Sequence, residues 1–278
     1  MNTSFADIEK KENRKDLIIS ICVFLSGFSC FAQLYYFQPL LPDLAKDFIL
    51  SASESSFAIS FSTLGMVFGL FTTMFVADRI PRKKMIGTGL LSSSIFSVAA
   101  SFSPTFLPLI LLSAAKGFLL SGATSVSMAY IAEEVSSRNK GKIMGLYIAG
   151  NALGGMAGRV ISSWIGALYT WRIASVSIGL ICALFAILFL LFSPRSTNFM
   201  PRKESFHTLI IANLQLITSK ALIPFYLTGG LILGVFVSLY NYLGFYLTKA
   251  PFNFPEHYIH YIYFCLLYTS PSPRDRSL

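Results

Sequence analysis

The sequence predicts an all-α polytopic membrane protein, with a six-helix N-terminal bundle followed by the start of a second bundle. Three observations predict it. Of the 278 residues, 54% are hydrophobic, 15% aromatic and only 13% charged, whereas about a quarter of a soluble domain is charged. Apolar runs of the ~20 residues needed to cross a bilayer recur along the chain. Lys and Arg gather in alternate breaks between those runs, as expected when positive loops stay in the cytoplasm. The net charge of +9 does not point to nucleic acid, because the bases sit in short loops and form no basic face.

The elements follow in order. Residues 1–16 form a charged cytoplasmic N-terminus. The first apolar run, Leu17 to Leu41, is too long for the core of a signal peptide and reads as a span. Further spans are expected at Phe57 to Ala77, Met85 to Phe102, Phe106 to Ile131, Ile143 to Leu168 and Ile173 to Phe192, which completes a six-helix half over 17–192. A polar cytoplasmic loop covers 193–221. The segment 222–264 supplies a seventh span, Leu222 to Leu247, and the start of an eighth near Tyr258.

With the N-terminus inside, the outer loops carry only Lys46, Arg172 and Lys249. The positive-inside rule therefore fixes a cytoplasmic N-terminus, in a multi-pass protein of the plasma (inner) membrane. Cys22, Cys30, Cys182 and Cys265 lie in or beside apolar runs, without metal or redox spacing, and read as buried apolar residues. His257 and His260 in "EHYIH" have a spacing that could hold a metal, but two ligands in a loop do not make a site. No nucleophile, paired carboxylate or metal cluster gathers at a membrane face, so neither an enzyme nor a cofactor is expected.

Between the second and third spans stands "FVADRIPRKKMI", where one acid at a helix end faces several bases. This stretch resembles the loop signature of the major facilitator superfamily. The resemblance implies that Asp78, with Arg79 and Arg82, holds a cytoplasmic gate shut. Met74 and Pro81 stand where that family carries glycine. The fifth span reads "GLYIAGNALGGMAGRVISSWIG", with Gly150, Gly154 and Gly158 at four-residue spacing beside Gly155. Such a face lets another helix approach closely in lipid, and the stretch is similar to the glycine-rich fifth helix of facilitator-type exporters.

The segments "FAQLYYFQPLLPDLAKDF", "AYIAEEVSSRNKGKIMGLY" and "SLYNYLGFYL" resemble the arabinose-efflux-like, drug–proton antiporter-like branch. The resemblance implies two halves rocking about a central site, with a small molecule exported against proton influx by a protein that works as a monomer. An uncoupled or anion-coupled facilitator of the same fold is the first alternative. An inert fragment or non-transporting scaffold is the second.

Two bases lie inside spans, Lys116 and Arg159. Lys116 falls about eleven residues, or 16 Å, below the outer end of its span, near the middle of the core. An ionisable group there costs at least ~2.5–3.5 kcal/mol and normally faces a cavity or a partner. No Asp or Glu lies well inside the first six spans. Related antiporters carry an Arg where this chain has Ser113, and Lys116 lies three residues on, on a similar helix face.

Lys116 is therefore expected to line the central cavity, binding a polar or anionic substrate group or changing charge as the proton moves. A structural pair with a carboxylate of the second half, and a lipid-facing base, stand beside that reading. Arg159, Gln33, Tyr36, Gln38, Asn151, Tyr240 and Asn241 are the other cavity candidates, with interhelical hydrogen bonding as the alternative for the uncharged ones. Tyr35, Tyr169, Trp164 and Trp171 read as interface anchors.

The chain closes on "CLLYTSPSPRDRSL". Cys265 to Asp275 can be back-translated to the end of a sequencing-library adapter, so 265–278 is expected to be a sequencing scar, with the reading frame cut inside the eighth span. A genuine frame here would instead suggest a half-transporter that pairs with another chain.

Overall fold

The computed structural model describes residues 5–201 and 206–254, and every regular element among them is helical. The expected eighth span, the His257/His260 pair and the tail from Cys265 lie outside the described residues. The first helix, α1 (Phe5–Tyr35), ends six residues before the expected Leu41. Pro39 has no amide hydrogen to continue the ladder and disfavours helix in the residue before it. A 3₁₀ turn (Gln38–Leu40) takes over, and a short helix α2 (Leu41–Asp47) restarts with Pro42 in its first turn.

Ser51 opens the one-turn α3 (Ala52–Ser55) through a reciprocal cap with Glu54. Five long helices complete the first bundle: α4 (Phe57–Val76), α5 (Arg82–Ser101), α6 (Phe106–Glu134), α7 (Lys140–Leu168) and α8 (Trp171–Phe192). After the loop comes α10 (Ile223–Thr248), close to the expected bounds. The loop itself departs from expectation, because "FHTLIIANLQLI" forms a helix, α9 (Phe206–Ile217), where a polar connection was expected.

Stretches 12–47, 52–79, 106–134, 171–192 and 223–248 are long and apolar enough to cross a membrane. The other two long helices, α5 and α7, are diluted by serine and glycine, the residues through which they pack. α1 lies against α7, α4 against α6, and α5 against both α6 and α8. A Cβ on Gly158 would sit 2.7 Å from Ala32 Cα, and one on Gly154 would run into the Phe28 backbone. Close approach of backbones is the attraction available between helices whose surroundings are as apolar as they are.

Two apolar clusters fill the bundle. One, at the end that bears the basic loops and is termed inner on the orientation expected from them, gathers Ile19, Ile86, Tyr130, Ile143 and Phe189. The other, at the opposite or outer end, gathers Tyr36, Leu40, Leu109, Trp171 and Ile178. Trp171 is thus a core residue and not the expected interface anchor. It is 4% exposed, and its Nε1 donates to Asp47 at 2.9 Å.

Candidate functional site

The candidate residues fall into three groups, at the inner end, the outer end and the interior of the bundle. At the inner end, α4 runs into a 3₁₀ turn (Ala77–Arg79), and Pro81 starts α5 so that Arg82 occupies its first turn. The Arg82 fork donates to Asp78 Oδ1 at 2.8 Å, to Glu133 Oε1 at 3.0 Å and to the Ala77 carbonyl at 2.7 Å. One guanidinium thereby ties the α4 end to the α6 end, a geometry that the planar Arg fork satisfies and a Lys ammonium does not. Of the expected gate residues, Asp78 and Arg82 come together. Arg79 is exposed and forms no ion pair among the described residues.

Glu133 was missed as a partner. The signal was present, because alternation of the loops places "AEE" at the end of the fourth span on the same face as the "DRIPRKK" turn. The adjoining Glu134 accepts from Lys15 Nζ and Thr197 Oγ1, both at 2.9 Å, and from the Asn198 amide at 2.7 Å. Tyr130 OH donates to the Pro194 carbonyl at 2.9 Å, and the Arg82 guanidinium lies 5.0 Å from the Phe199 ring centre. The front of the loop therefore straps the inner end of the bundle.

At the outer end, the turn after α1 presents Gln38 to both α7 and α10. Arg159 donates from Nε to Gln38 Oε1 and from Nη1 to the Gly155 carbonyl at 2.6 Å. Gln38 Nε2 in turn donates to Asn241 Oδ1 at 2.7 Å. The guanidinium lies 4.3 Å from the Tyr35 ring centre and 5.7 Å from those of both Phe236 and Tyr240, a setting that stabilises a cation in a dry site. Arg159 is 3% exposed and Tyr240 7%. The guanidinium is therefore held inside the seam.

This seam joins the first bundle to the first helix of the second. The main contacts of α10 with the bundle are to α2 and the 3₁₀ turn, while its inner portion, Ile223 to Val235, is exposed. Asn151 lies one turn inward of Gly155 on α7, against Gly27 of α1.

The interior group is buried: Lys116 is 1% exposed and Gln33 and Tyr36 0%. Lys116 Nζ lies 4.5 Å from the Tyr36 ring centre and 4.9 Å from that of Phe37. Gln33 and Tyr36 turn inward with it: Gln33 accepts from Ser97 Oγ at 3.2 Å, and Tyr36 OH hydrogen-bonds Ser175 Oγ at 2.9 Å. The α6 face that carries Ser113 and Lys116 is thus an internal face.

A family model described as Major Facilitator Superfamily matches residues 20–270. An uncharacterized transporter of Buchnera aphidicola subsp. Schizaphis graminum is 34% identical over 95% of this chain and 65% of its own length. The inner membrane transport protein YnfM of Escherichia coli is 35% identical over 84% of this chain and 56% of its own, and the MFS-type transporter YybF of Bacillus subtilis is 30% identical over 90% and 62%. The chain spans about 60% of the length of these curated relatives. Among solved structures, a bacterial homologue of the human lysosomal transporter Spinster superposes with a TM-score of 0.71 at 13% identity, over 88% of this chain and 58% of that one. That likeness is one of fold.

Proposed function

The chain belongs to the major facilitator superfamily, and on that footing we propose that it is part of a secondary transporter that exports a small molecule by alternating access, driven by proton influx across the inner membrane. The observation that carries the reading is a seam at one end of the bundle, between α7, the turn after α1 and α10, with a clasp at the other end, between the ends of α4, α5 and α6. The outer seam rests on Arg159, Gln38 and Asn241, and the inner clasp on Arg82, Asp78 and Glu133. Alternating access needs two closures that are made in turn around a central site near the repeat interface.

The seam closes the outer side between the first bundle and α10, while the inner clasp lies wholly within the first bundle, bracing α4, α5 and α6. The gap between that bundle and the exposed inner portion of α10 is therefore the side we assign as open. Substrate then reaches the space below Arg159 from the cytoplasm, past Asn151, Tyr240 and Asn241. The Gly150–Gly158 face holds α7 to α1, so that the first bundle moves as one body. Proton coupling and the exporting direction rest on the likeness to the drug–proton antiporter branch, and a cytoplasmic N-terminus rests on the charge pattern of the loops.

Transport is tested in inverted membrane vesicles with radiolabelled L-arabinose and benzoate as probes. Gradient-driven accumulation of a probe is expected, collapsed by a protonophore and lowered at least about tenfold in Arg159→Met, since truncating one member of a buried charged network costs about 2 kcal/mol or more. Accumulation indifferent to the protonophore contradicts proton coupling and favours a facilitator. Unchanged accumulation in Arg159→Met contradicts the role given to the seam.

A further inference from the structure

The interior of the first bundle contains a group of donors that neither closure uses. Lys116 is 1% exposed, and Gln33 and Ser113 are 0% exposed. Among the described residues, Lys116 Nζ, Gln33 Nε2 and Ser113 Oγ have no hydrogen-bond partner. They lie within about one helical turn of one another along the α1–α6 contact. Cys30 Sγ meets the Leu120 carbonyl at 4.0 Å, which fixes the register of α1 against the antiparallel α6. Three residues further along α1, Gln33 comes opposite the stretch of α6 that begins with Lys116; the next turn brings Phe37 opposite Ser113. The Lys116 Nζ distances to Tyr36 and Phe37 agree with that register.

The chemistry of the group is one-sided. Gln33 Oε1 is already used by Ser97, and the Tyr36 hydroxyl is engaged with Ser175. What remains is amide N–H, hydroxyl O–H and an amine, each without an acceptor among the described residues. The two ring faces support the ammonium on one side only. A buried donor without a partner costs about 1–3 kcal/mol, and a charged one more. Water would satisfy the hydrogen bonds but would leave the amine, when protonated, without a counter-charge. An acceptor with one negative charge satisfies both.

Size narrows the class. The group is sealed from solvent, with Lys116 at 1% and Gln33 and Ser113 at 0% exposure. A site so enclosed favours the smallest anions over a multi-atom oxyanion such as phosphate or sulfate. We propose that Lys116, Gln33 and Ser113 bind one monovalent anion of halide size inside the first bundle. The anion balances the ammonium that lies against Tyr36 and Phe37, where α1 gives way to the turn bearing Gln38. The site stands on its own residues and does not depend on the transport reading.

The test is thermal unfolding of the purified chain in lipid nanodiscs, in sodium chloride, bromide or gluconate at equal ionic strength. A saturable rise of the midpoint by about 3 °C or more is expected in both halides relative to gluconate. Lys116→Met should abolish the difference. Ser113→Ala, which keeps the charge and loses one hydroxyl, should fold and weaken radiolabelled-chloride binding several-fold, which keeps the test open if Lys116→Met does not fold. Equal midpoints in halide and gluconate overturn the site. A halide effect or chloride affinity undiminished in Ser113→Ala and in Gln33→Leu also overturns it.

Discussion

Gly154→Leu in α7 is expected to remove most of the folded bundle. A Cβ at Gly154 runs into the backbone of Phe28 in α1, and the flanking Gly150 and Gly158 meet the backbones of Phe24 and Ala32. No flexible side chain lies there to give way, so the two helices must part along the seam or fail to dock. Overpacking of a core commonly costs about 1–3 kcal/mol where side chains can shift, so a backbone-on-backbone clash in lipid should cost at least about 3 kcal/mol. Gly145→Leu on the same helix is the control, since nothing lies within 4 Å of a Cβ there. The check is the yield of monodisperse protein in mild detergent, together with its unfolding midpoint. A Gly154→Leu protein as abundant and as stable as Gly145→Leu contradicts the α1–α7 packing.

Arg82→Met should have the second largest effect, on the inner clasp. Its removal leaves Asp78 and Glu133 facing each other and frees the Ala77 carbonyl. The Arg82 side chain is 9% exposed, but those of Asp78 and Glu133 are 44% and 26% exposed, so solvent screens part of the interaction. A loss of about 2 kcal/mol is expected, between the ~0–1 of a surface pair and the ~3–5 of a fully buried one. Arg82→Lys should recover only part of it, because one ammonium cannot reach three acceptors in the plane of a fork. The readout is labelling of a cysteine at Thr73, on the α4 face against α6, by a maleimide added from the cytoplasmic side. Labelling should rise about tenfold in Arg82→Met and less in Arg82→Lys. Equal labelling in all three would sink the clasp.

Much of the fold was legible because membrane crossing is written in one dimension. Apolar runs and alternating basic loops placed the ends of six long helices to within about three residues, including α5 and α7, whose serine and glycine content lowers their hydropathy, whereas α1 starts well before the expected Leu17 and ends before Leu41. The break after Tyr35 was legible in principle from Pro39, but a 25-residue apolar run concealed it. The four-residue spacing of Gly150, Gly154 and Gly158 is legible in sequence, and all three lie against the α1 backbone.

Side-chain direction was less legible. Lys116 and Arg159 look alike in sequence, each a lone base in an apolar helix. Only the packing of α1, α4 and α5 around α6 turns Lys116 inward, while the turn at Gln38–Leu40 brings Arg159 to the seam. Glu133 was hidden for a related reason: a salt bridge between residues 51 positions apart depends on which helix ends meet, and no periodicity encodes that. Likewise, α9 carries an apolar pattern that was subsumed under the polar residues on either side.

The outer seam is the centre of the account, and a distance across it is its most direct test. Spin labels at Lys46, beyond α1 in the first bundle, and at Lys249, beyond α10 in the second, report the outer opening without any knowledge of the substrate. Both positions are exposed, so the labels should not disturb the core. In the unaltered background, with Cys22, Cys30, Cys182 and Cys265 replaced by alanine, a single short distance is expected from the Gln38–Asn241 bridge. Arg159→Met and Asn241→Leu should each broaden the distribution and move its centre outward by roughly 5 Å or more, on the scale of a helix-turn displacement. If the distribution is unchanged in both variants, Arg159, Gln38 and Asn241 do not hold the outer side closed, and the alternating-access reading loses its structural support.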